Sequence, residues 1–392
     1  MTHFTKKQLR QRSPKNHTKY SIFFICLIVA TYFTWQHFTK TKQQIEMEED
    51  ILIEYIDNSP KYIRGAWLPY WGMEEGLISL EKNISLNMLS PVWYEVNEDG
   101  SLKTKIRQSA NKIKTLSKQK DIWLVPSIAI FDYEHFSKIL NDKENLTRHI
   151  QNITDEVLLN NFDGIDIDYE STLLTDKDKY FEFLKRLSNK LHQHNKMLSI
   201  TVLAKWGDEI KYDTLPQTRK VQDWQRISKY ADQIRIMAYD YTFPKSKYPG
   251  PIAPNDWVKK VLEYAVKNIP REKIILGVHL YAYEWRNASR DALFFQVDPA
   301  KNERVEKMAK AYTYYQVQQI LKDHKNSGKL KEFQDENIFE YEIKNNDTEE
   351  IEHRLLIFPN EKSIHSKEDL AQEYKIRGIF FWRLGDEDEL VL

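Results

Sequence analysis

Eight short apolar runs, each followed by a charged stretch of helical length, constrain this chain more than any other feature. The runs cover residues 62–71, 86–96, 122–131, 162–169, 197–206, 233–241, 274–283 and 376–384. Their near-continuous apolarity marks strands covered on both faces, which is the condition of a parallel sheet. Amphipathic segments such as 180–194 and 257–268 lie between them. Strand and helix alternating eight times predict an α/β fold, a (β/α)8 TIM barrel over 62–392. A doubly wound open sheet is disfavoured, because the chain has only 11 glycines and no Gly-rich phosphate loop follows any run. The rhythm breaks once, where about ninety residues separate the seventh run from the eighth. A small α+β insertion with two or three strands of its own is expected there, at about 286–370.

A different signal precedes the barrel. Residues 1–20 carry Lys6, Lys7, Arg10, Arg12, Lys15 and Lys19 and no acidic residue. Ser21–Phe38 then runs without Asp, Glu, Lys or Arg. As a helix this stretch spans about 27 Å, close to the hydrocarbon thickness of a bilayer. No small-x-small cleavage site follows it, so an uncleaved anchor is favoured over a signal peptide. The cation asymmetry predicts a cytoplasmic tail at 1–20, a transmembrane anchor at 21–38 and an acidic stalk at 39–61. The catalytic domain is then expected to be extracytoplasmic, on a single-pass membrane protein.

Charge and cysteine content narrow the function. Lys+Arg 58 against Asp+Glu 58 excludes a broadly basic nucleic-acid binder. A single cysteine, Cys26, excludes an intramolecular disulfide framework and a multi-cysteine zinc site.

The chemistry concentrates in Asp163-Gly164-Ile165-Asp166-Ile167-Asp168-Tyr169-Glu170. Side chains alternate along a strand, so Asp166, Asp168 and Glu170 share one face and Ile165, Ile167 and Tyr169 take the other. The carboxylate face points into the barrel, with successive acids roughly 7 Å apart by strand rise. Unpaired acids there are costly, so shared protons and at least one neutral carboxyl are expected. A neutral carboxyl at the open end of a strand is what a general acid requires, and Glu170 stands at that end. A solvent-facing polar edge strand is the bland competitor, and the flanking isoleucines oppose it. An EF-hand fails on spacing. A three-carboxylate magnesium site stays open, although nothing in the sequence marks a phosphate substrate.

The octet resembles the D-x-x-D-x-D-x-E signature of glycoside hydrolase family 18, the family of chitinases and related N-acetylglucosaminidases. Three further stretches are similar to that family in chain order: Ile236–Tyr241 (IMAYDY), Lys273–Val278 (KIILGV) and Gly378–Trp382 (GIFFW). The MAYDY stretch and the GIFFWRLGDED ending look closest to bacterial cell-wall and spore-cortex-lytic members. The resemblance implies substrate-assisted retaining hydrolysis, an exception to the two-carboxylate scheme. It assigns catalytic roles to Glu170 as general acid, to Asp168 as the residue that orients the 2-acetamido group, to Asp166 as the group sharing a proton with Asp168, and to Tyr239 as a hydrogen-bond donor to the acetamido carbonyl. A substrate-binding set of Asp163, Met237, Asp240 and Trp382 follows, with Asp163 supporting the strand's entry and Trp382 forming the floor under a sugar. His279 stands where members often have proline, and reads as a buried, hydrogen-bonded histidine.

The expected activity is hydrolysis of β-1,4-linked N-acetylglucosamine-containing glycans, peptidoglycan or chitin-like. The resemblance implies no cofactor, metal or nucleic-acid partner. The alternatives are a silent, lectin-like carbohydrate binder, which Glu170 argues against, and a membrane-tethered scaffold, for which the acid series would have no purpose.

Overall fold

In a computed structural model of the chain, the described residues are 60–386, apart from 83, 106–108, 209–216, 247, 287–308 and 345–348. The tail at 1–20, the span at 21–38 and the linker up to residue 59 lie outside them. Among the described residues no helix is long and apolar enough to cross a membrane.

Every apolar run contributes a strand. In chain order they are β1 (Ile63–Pro69), β2 (Met88–Val96), the edge strand β3 (Leu102–Thr104), β4 (Trp123–Leu124), β5 (Ser127–Ile130), β6 (Gly164–Tyr169), β7 (Met197–Leu203), β8 (Gln233–Met237), β9 (Ile274–His279) and, after an insertion, β15 (Gly378–Trp382). The parallel order β1-β15-β9-β8-β7-β6-β5-β2 closes on itself through pairing of β1 with β2. This is the eight-stranded barrel expected. The third run is broken in two, because Pro126 has no N–H to give the ladder; its carbonyl instead accepts from the Asp166 amide at 2.8 Å.

Between the seventh and eighth barrel strands lies a five-stranded antiparallel sheet, in the order β11-β10-β14-β13-β12. Its strands are β10 (Ala282–Arg286), β11 (Ala309–Tyr312), β12 (Lys329–Phe333), β13 (Glu336–Lys344) and β14 (Ile351–Pro359). The sequence reading of two or three strands is too few, for identifiable reasons. β10 follows β9 after two residues and reads as the tail of the seventh run. β12, KLKEF, is an exposed edge strand, where charge replaces the apolar alternation that marks a half-buried one. The sheet also ends earlier than residue 370. Helix Glu361–Glu373 belongs to the barrel, where it packs on β9, β15 and helix Asn255–Asn268.

One face of the inserted sheet (Tyr283, Trp285, Ile338, Leu355, Ile357) meets Ile252 of the barrel's rim. The other face packs around Val317 of helix Tyr314–Asp323. A buried carboxylate pins the two parts together. Glu336 on β13 accepts hydrogen bonds from the amides of Ile252 at 2.8 Å and Ala253 at 2.7 Å. Its Oε1 also lies 3.5 Å from His279 Nε2, and the buried Lys367 ammonium acts on it electrostatically. Removing one member of a buried charged network leaves the others uncompensated. Glu336→Ala is therefore expected to destabilise the protein by about 3–5 kcal/mol in denaturant unfolding. A loss under about 1 kcal/mol would show that the amides and Lys367 find other partners.

Candidate active site

Strand register determines which side chains fill the barrel. Asp166 lies opposite Ser127 and Ser199, and Asp168 opposite Ala129. On β8 the inward positions are Gln233, Arg235 and Met237, paired across to Ser199, Thr201 and Leu203. Phe380 and Trp382 lie opposite Gly277 and His279. The acid face therefore points inward as alternation predicts. Tyr169 points outward, and its hydroxyl lies 2.7 Å from His149 Nε2. The His149 Nδ1 donates to the Gly100 carbonyl at 2.9 Å, so Nε2 accepts from Tyr169. Burial pushes this imidazole down to about 4, which keeps it neutral and leaves that chain of donors intact.

The acids differ in depth and in company. Asp166 is fully buried and faces donors from four other strands. Ser127 donates to it at 2.7 Å, Thr201 at 3.0 Å and the Trp67 indole at 3.3 Å, while Arg235 Nη1 lies 3.5 Å away. Asp168, one step toward the mouth, is buried with no hydrogen-bond partner for Oδ1 among the described residues. Burial, Glu170 and Asp166 raise its carboxyl well above the usual range, against the opposing pull of Arg235. Glu170 sits at the half-open rim beyond β6. Burial and the neighbouring Asp240 raise it to about 7, with Arg219 opposing. Asp166 is turned toward Ser127, Thr201 and Arg235.

Two strands round the barrel from β6, Tyr239 lies inward beyond β8. Its ring passes over Gly277, where an added Cβ would meet Tyr239 Cε1 at 3.2 Å and the Ile236 carbonyl oxygen at 2.6 Å. Asp240 adopts a left-handed backbone (φ 60°), a conformation that Asp tolerates better than most residues. Its Oδ1 accepts from the hydroxyls of both Tyr281 and Tyr283. Its surroundings raise the carboxyl, and the two phenols hold it down. Trp382 is half-buried at the mouth, its ring 6.0 Å from that of Trp67. Met237, Tyr239, Asp240 and Trp382 thus converge with Asp168 and Glu170 on one opening.

Asp163 does not join them. It lies before β6, at the far end of the barrel, where its carboxylate accepts from the Leu124 amide at 2.7 Å. There it braces β4 against β6. His279 is buried, beside Glu336 instead of a sugar site. Arg235, Tyr281 and Tyr283 were not singled out as site residues by the sequence reading. A charged residue between Ile234 and Ile236 on a doubly covered strand was the available signal for Arg235. Among the described residues no group of three or more His, Cys, Asp or Glu is placed to hold a metal ion.

A closed parallel barrel with a row of acids leading to its C-terminal mouth can be set beside known proteins. The model of "Glycosyl hydrolases family 18" matches residues 28–388. The chain belongs to this family. It is 25% identical over 313 residues to the uncharacterized glycosylase YvbX of Bacillus subtilis, covering 78% of this chain and 82% of that protein. It is 25% identical over 334 residues to the cortical fragment-lytic enzyme of Bacillus anthracis, covering 83% and 70%. The crystal structure of the Bacillus cereus spore cortex-lytic enzyme SleL matches its fold with a TM-score of 0.67 at 22% identity, covering 84% and 72%. This family 18 protein is a glycoside hydrolase, and its acid row lies at the barrel end where enzymes of this architecture work.

The two phenols define a measurable property of the rim. Replacing Tyr281 and Tyr283 together by Phe removes both donors to Asp240, and a carboxylate without its donors holds a proton more tightly. The Asp240 titration, followed by carboxyl carbon NMR, is expected to move to higher pH. An unmoved titration would show that the phenols do not stabilise the ionised form.

Proposed function

We propose that this enzyme cleaves β-1,4-linked N-acetylglucosamine-containing glycans by substrate-assisted retaining hydrolysis. The observation that carries the reading is the pair at the mouth: Glu170, raised to about 7, beside a buried Asp168 whose carboxyl is raised well above the ordinary range and whose Oδ1 has no hydrogen-bond partner among the described residues. A carboxyl poised near neutrality is suited to protonate a leaving glycosidic oxygen. A neutral Asp168 is a poor nucleophile, so the attack on the anomeric carbon falls to the substrate's own 2-acetamido oxygen. Asp168 then orients the acetamido group by accepting from its N–H. Tyr239 donates to the acetamido carbonyl from beyond β8. Trp382 offers an indole face under the sugar, with Met237 and Asp240 beside it. After the leaving group departs, Glu170 is the base that activates water.

The substrate we favour is a cell-envelope glycan, peptidoglycan before chitin. The support is twofold: relatives named as cortical fragment-lytic enzymes, and the apolar segment 21–38 behind a leader with six cations. We read that segment as an anchor that leaves the barrel outside the cytoplasmic membrane.

The test uses the full chain in mild detergent with its Glu170→Gln variant, each incubated with N-acetylglucosamine oligomers and with purified peptidoglycan. Loss of the general acid is expected to lower kcat by about 10²–10⁴ while oligomer binding persists. Turnover by the variant close to wild type would overturn the assignment, and binding without cleavage by both proteins would favour a lectin. The pH profile gives a second check. Glu170 must hold its proton to act, so kcat/KM of the wild type falls as pH rises through about 7. A profile flat through that range would remove Glu170 from the acid role.

A further inference from the structure

Arg235 is a charged feature of the barrel interior that the proposed reaction leaves unused. Its side chain is fully buried, on the inward face of β8, in a position where an isolated cation is costly. Nη1 donates to Ser90 Oγ at 2.5 Å and lies 3.5 Å from Asp166 Oδ2. Nη2 donates to Met88 Sδ at 3.1 Å, and the guanidinium carbon stands 4.0 Å from the centre of the Phe380 ring. The fork is thus fixed by β2 and β15 and presented to β6.

Other groups around this pair decide what the cation can do. From β1, β5 and β7, Asp166 receives only the donors Trp67, Ser127 and Thr201. The titratable and charged side chains nearby are Asp168 on β6 with Glu170 beyond it, Tyr239 and Asp240 beyond β8, His279 on β9, and Arg219, whose cation acts on Glu170 and Asp240 at the rim. Burial and the Lys367 cation push His279 well below its ordinary range, so it adds no positive charge. Tyr239 is raised by burial and stays neutral. Arg235 is therefore the cation that answers the acid row from within the barrel.

We propose that Arg235 is a positioning residue for catalysis: it holds Asp166 as a carboxylate turned to the barrel floor, so that the proton of the Asp166–Asp168 pair resides on Asp168. The proposal rests on the reading of Asp168 and Glu170 as the reacting pair. With the floor acid ionised and held by its donors, Asp168 is left without a partner on Oδ1 and is the member free to turn toward a substrate. A neutral floor would let Asp166 take the proton and would leave a charged Asp168 beside Glu170.

Two measurements test this. Carboxyl carbon NMR of the wild-type chain near neutral pH is expected to show Asp166 as a carboxylate and Asp168 as a carboxylic acid, and the reverse assignment overturns the proposal. In kinetics, Arg235→Gln is expected to lower kcat on the order of 10²-fold, a misplacement effect, with KM little changed. Removing the cation raises the proton affinity of both aspartates, so the acid limb of kcat should also move to higher pH. Arg235→Lys, which restores the charge, should return that limb toward wild type. A slower Arg235→Gln enzyme with the wild-type pH profile would make Arg235 a packing residue. If Arg235→Gln does not fold, the wild-type NMR assignment decides alone. Full activity of Glu170→Gln would instead remove the parent reading, and the NMR result would still decide where the proton lies.

Discussion

The interior of an eight-stranded barrel is filled by side chains, with no room for bulk solvent to screen a charge. Placing a row of carboxylates on one inward face therefore dictates much of what surrounds it. Ser127 and Thr201 on the flanking strands, Trp67 across the barrel and Arg235 on β8 all direct donors at Asp166. A buried carboxyl without such partners is costly. The outer face of β6 is served in the same way. Ile165 and Ile167 enter the helix-covered core, and Tyr169 is tied through His149 to the Gly100 carbonyl. A strand held on both faces keeps the acids at fixed depths.

Much of this was legible in the sequence because it is local and periodic. The alternation of Asp with Ile over 163–170 reports inward and outward faces directly, and eight apolar runs at regular spacing report a barrel. What escaped depends on contacts between residues far apart in the chain. Arg235 meets Asp166 only because the barrel closes, and no local pattern names its partner. Asp163 looked like one more acid of the series, yet it lies before the strand begins and serves the Leu124 amide. Tyr281 and Tyr283 reach Asp240 because β9 runs straight on into the insertion, a turn of the chain that the apolar pattern does not mark. The inserted sheet was undercounted for the converse reason: an exposed edge strand has no apolar face to display.

The insertion is more than an appendage to the barrel. Glu336 fastens it to the Ile252–Ala253 segment that follows the Tyr239–Asp240 rim, and His279 beside it ends the strand opposite Trp382. The phenols that hold Asp240 come from Tyr281, which links barrel to insertion, and from Tyr283 on β10. The wall of the site facing Glu170 is thus assembled by both parts, and its shape depends on how the inserted sheet is seated.

Depth orders the protons of the acid row. At the floor, Asp166 is fully desolvated and surrounded by donors and a cation. One step outward, Asp168 has the same desolvation without the donors, and it carries charge on both sides; neutrality is the lower-energy state. At the rim, water and Arg219 offset part of the desolvation at Glu170, and its carboxyl settles to about 7. Three chemically similar side chains, spaced by strand rise alone, are separated into an acid held by donors, a buried acid without a partner on Oδ1, and a carboxyl raised to about 7. Strand geometry supplies the spacing; the differences in chemistry come from what the other seven strands place opposite each position.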